Sequence, residues 1–399
     1  MLRVGLITNE FYPVWGGVST YCINLCRALV DKVDLHVFTV KRSDQSLNTL
    51  FDSYPALRNV KFHFINNRNP GIYTTLSFQI SSLIRMSRLI DENKIDIIHT
   101  STFLADALYR WLGIKVPNVL TVHSTIHGQV QGFLNTKTSL KDLDPSELFT
   151  LATYPLLRMG ELASFYRSSH VIAVSNDVAC ELKEKSNYNG NLNVIHNGVD
   201  LEVFFPVPNR KKGKKRILFV GRIIATKGVG TLINAIPIVL KTNSDVVFVF
   251  AGSGREAPYV ELLNELGVPQ KNYEFLQASY DQMGDLYRSS DIFVLPSYTE
   301  SCPMSILEAT ASGLPIISTN IKDIPILVEQ GVNGFLIPPG DHVLLAENIC
   351  TLLNNENMQH SMGIASRQIA EERFSYSKMG MQTLQVYKKV VGSNEDSPN

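Results

Sequence analysis

The sequence predicts an α/β protein with two doubly wound parallel sheets. Short apolar runs alternate with helix-length segments along its 399 residues, as in parallel strands joined by crossover helices. The alternation is interrupted once, over residues 205–216, and then restarts. A chain of this length also favours two domains of ordinary size over one.

The predicted strands are short and mostly apolar, which is typical of strands buried on both faces of a parallel sheet. In the first half of the chain these runs are 4–8, 35–39, 95–99, 119–122 and 171–174. In the second half they are 217–220, 246–250, 273–276, 292–295 and 315–317. The interruption holds two prolines and the basic run 210–216. We interpret it as a solvated linker, with binding to anionic lipid or nucleic acid as the less favoured alternative.

The composition argues against several classes of protein. Lys plus Arg and Asp plus Glu both number 37, so bulk charge gives no argument for a nucleic-acid partner. Five widely spaced cysteines indicate reduced thiols, and Cys22 and Cys26 are favoured as core residues over metal ligands. The sequence has no signal-peptide pattern and no apolar run of about 18 residues. We therefore expect a cytoplasmic protein without a membrane span.

Three glycine-bearing turns follow predicted strands. Gly16 and Gly17 precede a helix, where free N–H groups can bind an anion, although an ordinary strand-to-helix loop is an equal alternative. The second turn, 221–228, begins with Gly221 and carries Arg222 and Lys227, and an Arg fork with a nearby Lys is suited to phosphate. Because open α/β sheets bind ligands beyond the carboxyl ends of their strands, we favour a phosphate site over a solvated loop.

The third turn contains Gly252 and Gly254 and matches the dinucleotide fingerprint G-x-G-x-x-A. It does not follow the first strand of its domain, and the next strand ends in Gln277, where an acidic ribose ligand is expected. We therefore favour a tight turn near a nucleotide over a nicotinamide site.

The segment 296–309 is the most specific feature. Pro303 fits the first turn of a helix, so Glu300 lies in the loop before that helix and Glu308 lies within it. The helix start offers N–H groups to a phosphate between the two carboxylates. One carboxylate can then bind sugar hydroxyls and the other ribose hydroxyls. A helix with acidic residues near its start and no ligand is the alternative.

These motifs occur in an order that resembles glycosyltransferase family 4, the retaining group 1 enzymes of the GT-B fold. His123 after a strand, Ser175 at a helix start and the Asn-Gly-Val-Asp run 197–200 add to the resemblance, which covers nearly the whole chain. It implies two Rossmann-like domains whose parallel sheets face an interdomain cleft. We expect an acceptor-side domain over 1–204, a linker over 205–216 and a donor-binding domain over 217–374. A C-terminal helix and tail over 375–399 are expected to pack back on the first domain.

The resemblance also implies residue roles. Arg222 and Lys227 resemble the diphosphate clamp, Glu300 the carboxylate that holds the donor sugar, and Glu308 the one that holds the ribose. Gly17 would offer its N–H to the diphosphate, and His123 resembles the histidine near the donor sugar. The complete expected donor-binding set is Gly16, Gly17, Gly221, Arg222, Lys227, Gly252, Gly254, Ser301, Cys302, Ser305, Ile306, Leu307 and Glu308. The family usually has Gly soon after the first glutamate, and Ser301 and Cys302 stand there instead, which leaves the donor sugar open.

We therefore expect sugar transfer with retention from a UDP- or GDP-sugar to a lipid, saccharide or small-molecule acceptor, with no cofactor. No Asp-x-Asp run that could hold a divalent ion on a diphosphate lies in the predicted donor-site segments 221–228, 252–257 and 296–309, so Arg222 and Lys227 would supply the positive charge without a metal. A nucleotide-sugar epimerase of similar fold, an NAD-dependent dehydrogenase and a non-catalytic nucleotide-sugar-binding module are the alternatives.

Two segments bear on the acceptor. Residues 124–145 are predicted as a long polar loop and hence a candidate functional loop. Residues 73–90 carry apolar side chains with Arg85 and Arg88. This segment is favoured as a core-facing amphipathic helix, and peripheral contact with the inner face of the cytoplasmic membrane is the alternative.

Overall fold

A computed structural model of the protein describes residues 1–12, 16–41, 47–65, 72–101, 114–136, 145–207 and 213–395. The chain forms two compact units. The first contains Met1–His127, Thr153–Gly198 and Tyr376–Asn399, and the second contains Gly128–Ala152 and Val199–Ser375. The segment Gly128–Ala152 thus groups with the second unit, although the sequence-based boundaries place it before residue 204.

The first unit is built on a seven-stranded sheet in the order β3-β2-β1-β4-β5-β6-β7. All of its neighbouring strands are parallel. The strands are β1 (Arg3–Ile7), β2 (Asp34–Val40), β3 (Lys61–Ile65), β4 (Ile97–Thr100), β5 (Asn118–Val122), β6 (His170–Ala173) and β7 (Leu192–Val194). The central strands β1, β4, β5 and β6 are almost entirely buried, as is typical of the inner strands of a parallel sheet.

The first unit also contains helices. They are α1 (Gly17–Leu29), α2 (Leu47–Ser53), α3 (Ile72–Asn93), α4 (Ile126–Asn135), which begins here and continues into the second unit, α6 (Tyr154–Arg167), α7 (Asn176–Glu184) and α15 (Tyr376–Glu395). Between α4 and α6 the chain forms α5 (Pro145–Ala152). Phe78, Met86 and Ile90 of α3 are buried in one core cluster, which confirms the core-facing interpretation of 73–90.

The second unit holds a six-stranded sheet in the order β10-β9-β8-β11-β12-β13, again entirely parallel. Its strands are β8 (Lys215–Val220), β9 (Val246–Ala251), β10 (Tyr273–Leu276), β11 (Ile292–Leu295), β12 (Ile316–Thr319) and β13 (Gly334–Ile337). Renumbered within the unit, this order is 3-2-1-4-5-6, the Rossmann arrangement. The α/β prediction of two doubly wound sheets is therefore confirmed.

The helices that follow in the chain are α8 (Val229–Leu240), α9 (Ala257–Glu265), α10 (Tyr280–Arg288), α11 (Met304–Ala311), α12 (Ile324–Leu327), α13 (His342–Leu353) and α14 (Glu356–Arg373). Within the part of the chain that the structure describes, none of the helices combines the length and apolar character needed to cross a bilayer.

The sequence predictions missed three strands and one helix. Strands β3, β7 and β13 were not predicted, because they lie at sheet edges and include partly exposed positions that break the apolar run. The predicted polar loop 124–145 is wrong over Ile126–Asn135, which is helix α4. Residues 137–144 of that loop and 210–212 of the basic run lie outside the described residues.

Candidate active site

The second sheet has its topological switch point between β8 and β11. These strands are neighbours, and the chain continues from β8 to β9 on one side and from β11 to β12 on the other. Crossovers that leave in opposite directions open a crevice beyond the carboxyl ends of the two strands, where open α/β sheets bind ligands. The loop after β8 carries Arg222 and Lys227, and the loop after β11 carries Glu300.

Lys227 and Glu300 form an ion pair at this switch point. The Nζ of Lys227 lies 2.6 Å from Oε1 of Glu300, and the Ser297 hydroxyl donates to the same oxygen at 2.8 Å. The carboxylate is buried with 6% of its side chain exposed, whereas the lysine retains 24%. The pair therefore presents a positive charge and a fixed carboxylate next to each other, with the lysine as the more accessible partner.

The two loops are packed so closely that one position requires glycine. Lys227 ends a 3-10 turn, and Gly228 follows it with φ +74°. A Cβ on Gly228 would lie 1.9 Å from the carbonyl oxygen of Pro296, so no side chain fits there. The Tyr298 N–H also donates to the carbonyl of Thr226 at 2.8 Å. These contacts fix the position of Lys227 relative to Glu300.

Helices α4 and α5 contact the same two loops within the second unit. The Thr226 hydroxyl donates to Oε1 of Glu147 at 3.0 Å, and Glu147 of α5 is 1% exposed. A Cβ added to Gly132 of α4 would lie 2.2 Å from Cγ2 of Thr299. Each contact is made to the residue that directly precedes Lys227 or Glu300. Sequence reasoning missed both, because no local pattern around Gly132 or Glu147 indicates contact with loops far along the chain, and Thr226 lies 79 residues beyond Glu147.

The remaining residues of the turn after β8 are exposed or packed against the next loop. Arg222 is exposed and forms no ion pair with the described part of the chain. The Ile223 N–H donates to the Ser253 carbonyl at 2.8 Å, so the turns after β8 and β9 continue the ladder of their strands. Added Cβ atoms on Gly252 and Gly254 would lie 1.9 and 2.5 Å from the carbonyl oxygens of Gly221 and Ile223. Close backbone packing thus accounts for the G-x-G pattern of this turn.

Helix α11 begins at Met304, with Pro303 as its N-cap residue and not in its first turn as the sequence suggested. Ser301 and Ser305 are partly exposed and Cys302 is buried. Ile306 and Leu307 are fully buried, so their side chains belong to the core. The N–H of Leu307 donates to the Pro303 carbonyl at 3.3 Å, which leaves the N–H groups nearer the helix start for a ligand.

Glu308 is buried inside the same helix and is 6% exposed. The hydroxyl of Tyr287 lies 2.8 Å from its Oε2. Burial raises the pKa of Glu308 from 4.5 to about 7, and the hydrogen bond from Tyr287 opposes that shift. Glu308 therefore differs from Glu300, whose carboxylate is paired with a lysine.

The site residues predicted in the first unit are Gly16, Gly17 and His123. Gly17 begins α1, and both glycines are exposed. His123 directly follows β5, and its ring meets the Tyr21 ring edge-on at 4.6 Å. Its Nε2 is buried without a hydrogen-bond partner among the described residues, and burial lowers the pKa of His123 from 6.5 to about 4. The ring is therefore neutral near pH 7.

A series of buried, hydrogen-bonded side chains that sequence reasoning missed begins at Tyr21, next to His123. The Tyr21 hydroxyl contacts the Thr121 hydroxyl at 3.0 Å, and Thr121 contacts Nε2 of His99 at 2.7 Å. Nδ1 of His99 hydrogen-bonds the hydroxyl of Tyr387 in α15. All four residues lie in elements that the sequence did predict, yet a polar side chain at a buried position of a strand or helix gives no pattern by which to foresee its partner.

A carboxylate–lysine pair, an exposed arginine and a helix start at a Rossmann switch point can bind an anionic diphosphate and a polyhydroxyl group side by side. Together with a second parallel-sheet domain, these features define a glycosyltransferase of the GT-B fold. A family model described as "Glycosyl transferases group 1" matches residues 201–369, and one described as "Glycosyltransferase Family 4" matches residues 15–203. The chain belongs to this family and is a glycosyltransferase.

Individual relatives support the assignment. The UDP-Gal:alpha-D-GlcNAc-diphosphoundecaprenol alpha-1,3-galactosyltransferase of Escherichia coli is 31% identical over 66% of this chain and 67% of that protein. The structure of sucrose-phosphate synthase from Thermosynechococcus elongatus superimposes with a TM-score of 0.79 at 19% identity, covering 98% of this chain and 100% of that one. Anabaena HepE in complex with UDP-glucose gives 0.72 at 19% identity, with 98% and 100% covered. The two structures support the fold.

Proposed function

We propose that this glycosyltransferase takes a sugar from a UDP- or GDP-sugar and transfers it with retention of the anomeric configuration. The observation that carries the proposal is the Lys227–Glu300 ion pair at the switch point of the second sheet. A lysine there is suited to a diphosphate, and the carboxylate beside it is suited to sugar hydroxyls. The name of the Escherichia coli relative and the ligand of HepE favour the uridine nucleotide.

The proposed roles follow the chemistry of each side chain. Arg222 and Lys227 bind the diphosphate, Glu300 binds the donor sugar, and Glu308 accepts hydrogen bonds from the ribose hydroxyls. The partly exposed Ser301 and Ser305 and the N–H groups at the start of α11 support a phosphate or sugar contact from the helix side. The predicted donor contacts of Gly16, Gly17 and His123 in the first unit stay predictions.

The reaction breaks the bond between the anomeric carbon and the diphosphate oxygen. Negative charge grows on the leaving diphosphate, and each fixed donor or cation aimed at such charge is typically worth ~2.7–4 kcal/mol in the transition state. A new bond then forms from the acceptor oxygen to the same face of the sugar, and the leaving phosphate takes the acceptor's proton. Among the residues that the structure describes, no carboxylate is assigned as the nucleophile of the double displacement that retaining hydrolases use.

The acceptor class stays open among lipids, saccharides and small molecules. The Escherichia coli relative is named for a diphosphoundecaprenol acceptor, which favours a lipid-linked saccharide. Ile80 and Ile84 of α3 are 51% and 76% exposed and supply an apolar surface for peripheral membrane contact in that case.

A donor screen tests the proposal. The purified chain is incubated with UDP- and GDP-sugars, with and without lipid-linked, saccharide and small-molecule acceptors, and products are identified by mass. We expect release of the nucleoside diphosphate with transfer or slow hydrolysis, which is lost in Lys227→Ala and retained in Lys241→Ala, a change of an exposed lysine at the end of α8. Formation of an epimer of the donor, oxidation with NAD, or binding without turnover would each overturn the proposal.

A further inference from the structure

The hydroxyl of Tyr287 lies between two acceptors on α11. It is 2.8 Å from Oε2 of Glu308 and 3.2 Å from the carbonyl oxygen of Ser305. The tyrosine is fully buried, and its ring contacts the rings of Phe204 and Phe293 at centroid distances of 5.5 and 5.8 Å. The hydroxyl is therefore held in place by packing and cannot turn towards solvent.

A phenol has one proton to donate, whereas the Ser305 carbonyl can only accept. If Glu308 is ionised, the Tyr287 hydroxyl donates to the carboxylate. If Glu308 is protonated, the carboxyl group donates to the phenol oxygen, and the phenol donates to Ser305. The observed distances accommodate both arrangements, so the buried polar atoms are satisfied whether or not Glu308 carries its proton.

Burial and the hydrogen bond from Tyr287 determine the protonation state of Glu308. Strands β11 and β12 and helix α12, which pack against α11, contain no titratable residue. Arg367 of α14 directs its guanidinium to the carbonyls of Leu201, Phe204 and Ala311 and to the carboxylate of Glu371. Burial raises the pKa of Tyr287 on α10, and the neighbouring Tyr280 adds to that rise, so the phenol stays protonated.

We propose that Tyr287 is a positioning residue for Glu308. When the ribose of the donor binds and Glu308 releases its proton, the Tyr287 hydroxyl stops donating to the Ser305 carbonyl and donates to Glu308 instead. This inference rests on the proposed ribose-binding role of Glu308. In the free protein below about pH 7 the carboxyl group is protonated on Oε2, and it donates this proton to the phenol oxygen. Ribose hydroxyls then donate to the carboxylate, the proton leaves to solvent, and Tyr287 donates to Oε2.

The sign of the pH dependence follows from this exchange. Burial places the pKa of free Glu308 at about 7, and the ionised form is the one that accepts ribose hydroxyls, so bound ligand lowers that pKa. Nucleotide affinity should therefore increase as pH rises through about 7 and become constant above it. Without the Tyr287 hydroxyl, the ionised carboxylate of Glu308 loses a hydrogen-bond donor, so its pKa should rise further. The increase in nucleotide affinity should then occur at higher pH.

Calorimetric titration of the full chain with UDP, and with GDP, tests this inference. Titrations at several pH values in buffers of different ionisation enthalpy give the number of protons released on binding. The terminal phosphate of the nucleotide itself titrates near pH 6, so the informative quantity is the difference between wild type and Glu308→Gln. We expect wild type to release additional protons between about pH 6 and pH 7.5, and the excess to disappear above that range.

Tyr287→Phe supplies the second readout. We expect it to weaken nucleotide binding about tenfold at pH 6.5 and much less at high pH, with the excess proton release moved to higher pH. Tyr273→Phe in β10 removes another buried tyrosine hydroxyl of the same unit and should leave the pH profile unchanged. Superimposable pH profiles of wild type and Tyr287→Phe, with no excess proton release, would overturn the inference.

The two proposals fail in different ways. If Glu308→Gln binds nucleotide as tightly as wild type at every pH, the ribose role of Glu308 is wrong and the proposed function loses that contact. If Glu308→Gln weakens binding but wild type shows no excess proton release, the ribose role stands and the role of Tyr287 is wrong.

Discussion

The Nζ of Lys227 lies 2.6 Å from Oε1 of Glu300, so the cation proposed for the diphosphate and the carboxylate proposed for the sugar are bound to each other in the free chain. Neither residue then has to be ordered when a donor binds, because each already holds the other in place. The donor competes for a pair that is already oriented, which favours catalysis by positioned charges.

Replacing the lysine tests the charge that this pair supplies. Lys227→Ala should weaken the binding of nucleoside diphosphate roughly ten- to a hundredfold, since hydrogen bonds to charged groups are worth ~1.5–3 kcal/mol. Titration calorimetry measures the effect, with Lys241→Ala as the control for loss of an exposed lysine. The assignment of a phosphate clamp fails if the affinity of Lys227→Ala equals that of the control.

Substitutions of Glu300 and Glu308 should have different effects on turnover and on nucleotide affinity. Glu300→Gln removes a charged acceptor beside the reacting sugar, so turnover should decrease strongly while affinity for bare nucleoside diphosphate changes little. Glu308→Gln should weaken nucleotide and nucleotide sugar alike, by about ten- to a hundredfold near neutral pH. Steady-state kinetics and nucleotide titration of both variants decide this. Equal losses of bare nucleotide affinity in the two variants would contradict the division of roles.

Chelation should leave activity intact. Arg222 and Lys227 are proposed to neutralise the leaving diphosphate, so transfer should proceed at an unchanged rate in excess EDTA. The measurement is the initial rate before and after chelation, followed by addition of magnesium or manganese. A rate that falls on chelation and returns with the metal would show that a divalent ion performs part of this task.

The contact between Thr226 and Glu147 should affect the lysine that follows it. Thr226→Val removes the hydroxyl that donates to Glu147 and leaves a buried carboxylate without that partner, so donor KM should increase several-fold. Thr226→Ser retains the hydroxyl and should behave like wild type. Both variants need comparison with Glu147→Gln, whose amide oxygen still accepts the bond. If Thr226→Val has the donor KM of Thr226→Ser, α5 does not position Lys227.

Parts of the site could be predicted because their signal is local. The loop after β8 shows glycine and two cations directly behind a strand, and Glu300 and Glu308 flank a helix start. The G-x-G turn at Gly252 was recognised from its spacing, although its packing against Gly221 required the structure. Residues 124–145 were misjudged because a polar segment of that length gives the same composition for a surface loop and for a helix exposed on one side.

The sequence by itself determined the strand–helix alternation, hence the two parallel sheets, and the loops on which the candidate cations and carboxylates lie. Only the tertiary structure decided which of these side chains meet. Lys227 and Glu300 are 73 residues apart and Thr226 and Glu147 are 79 apart, whereas Tyr287 and Glu308 lie on consecutive helices. Periodicity reports which face of an element is buried, and it holds no information on which elements a sheet brings side by side. That choice comes from the strand order, which places β8 next to β11 and so brings their loops together.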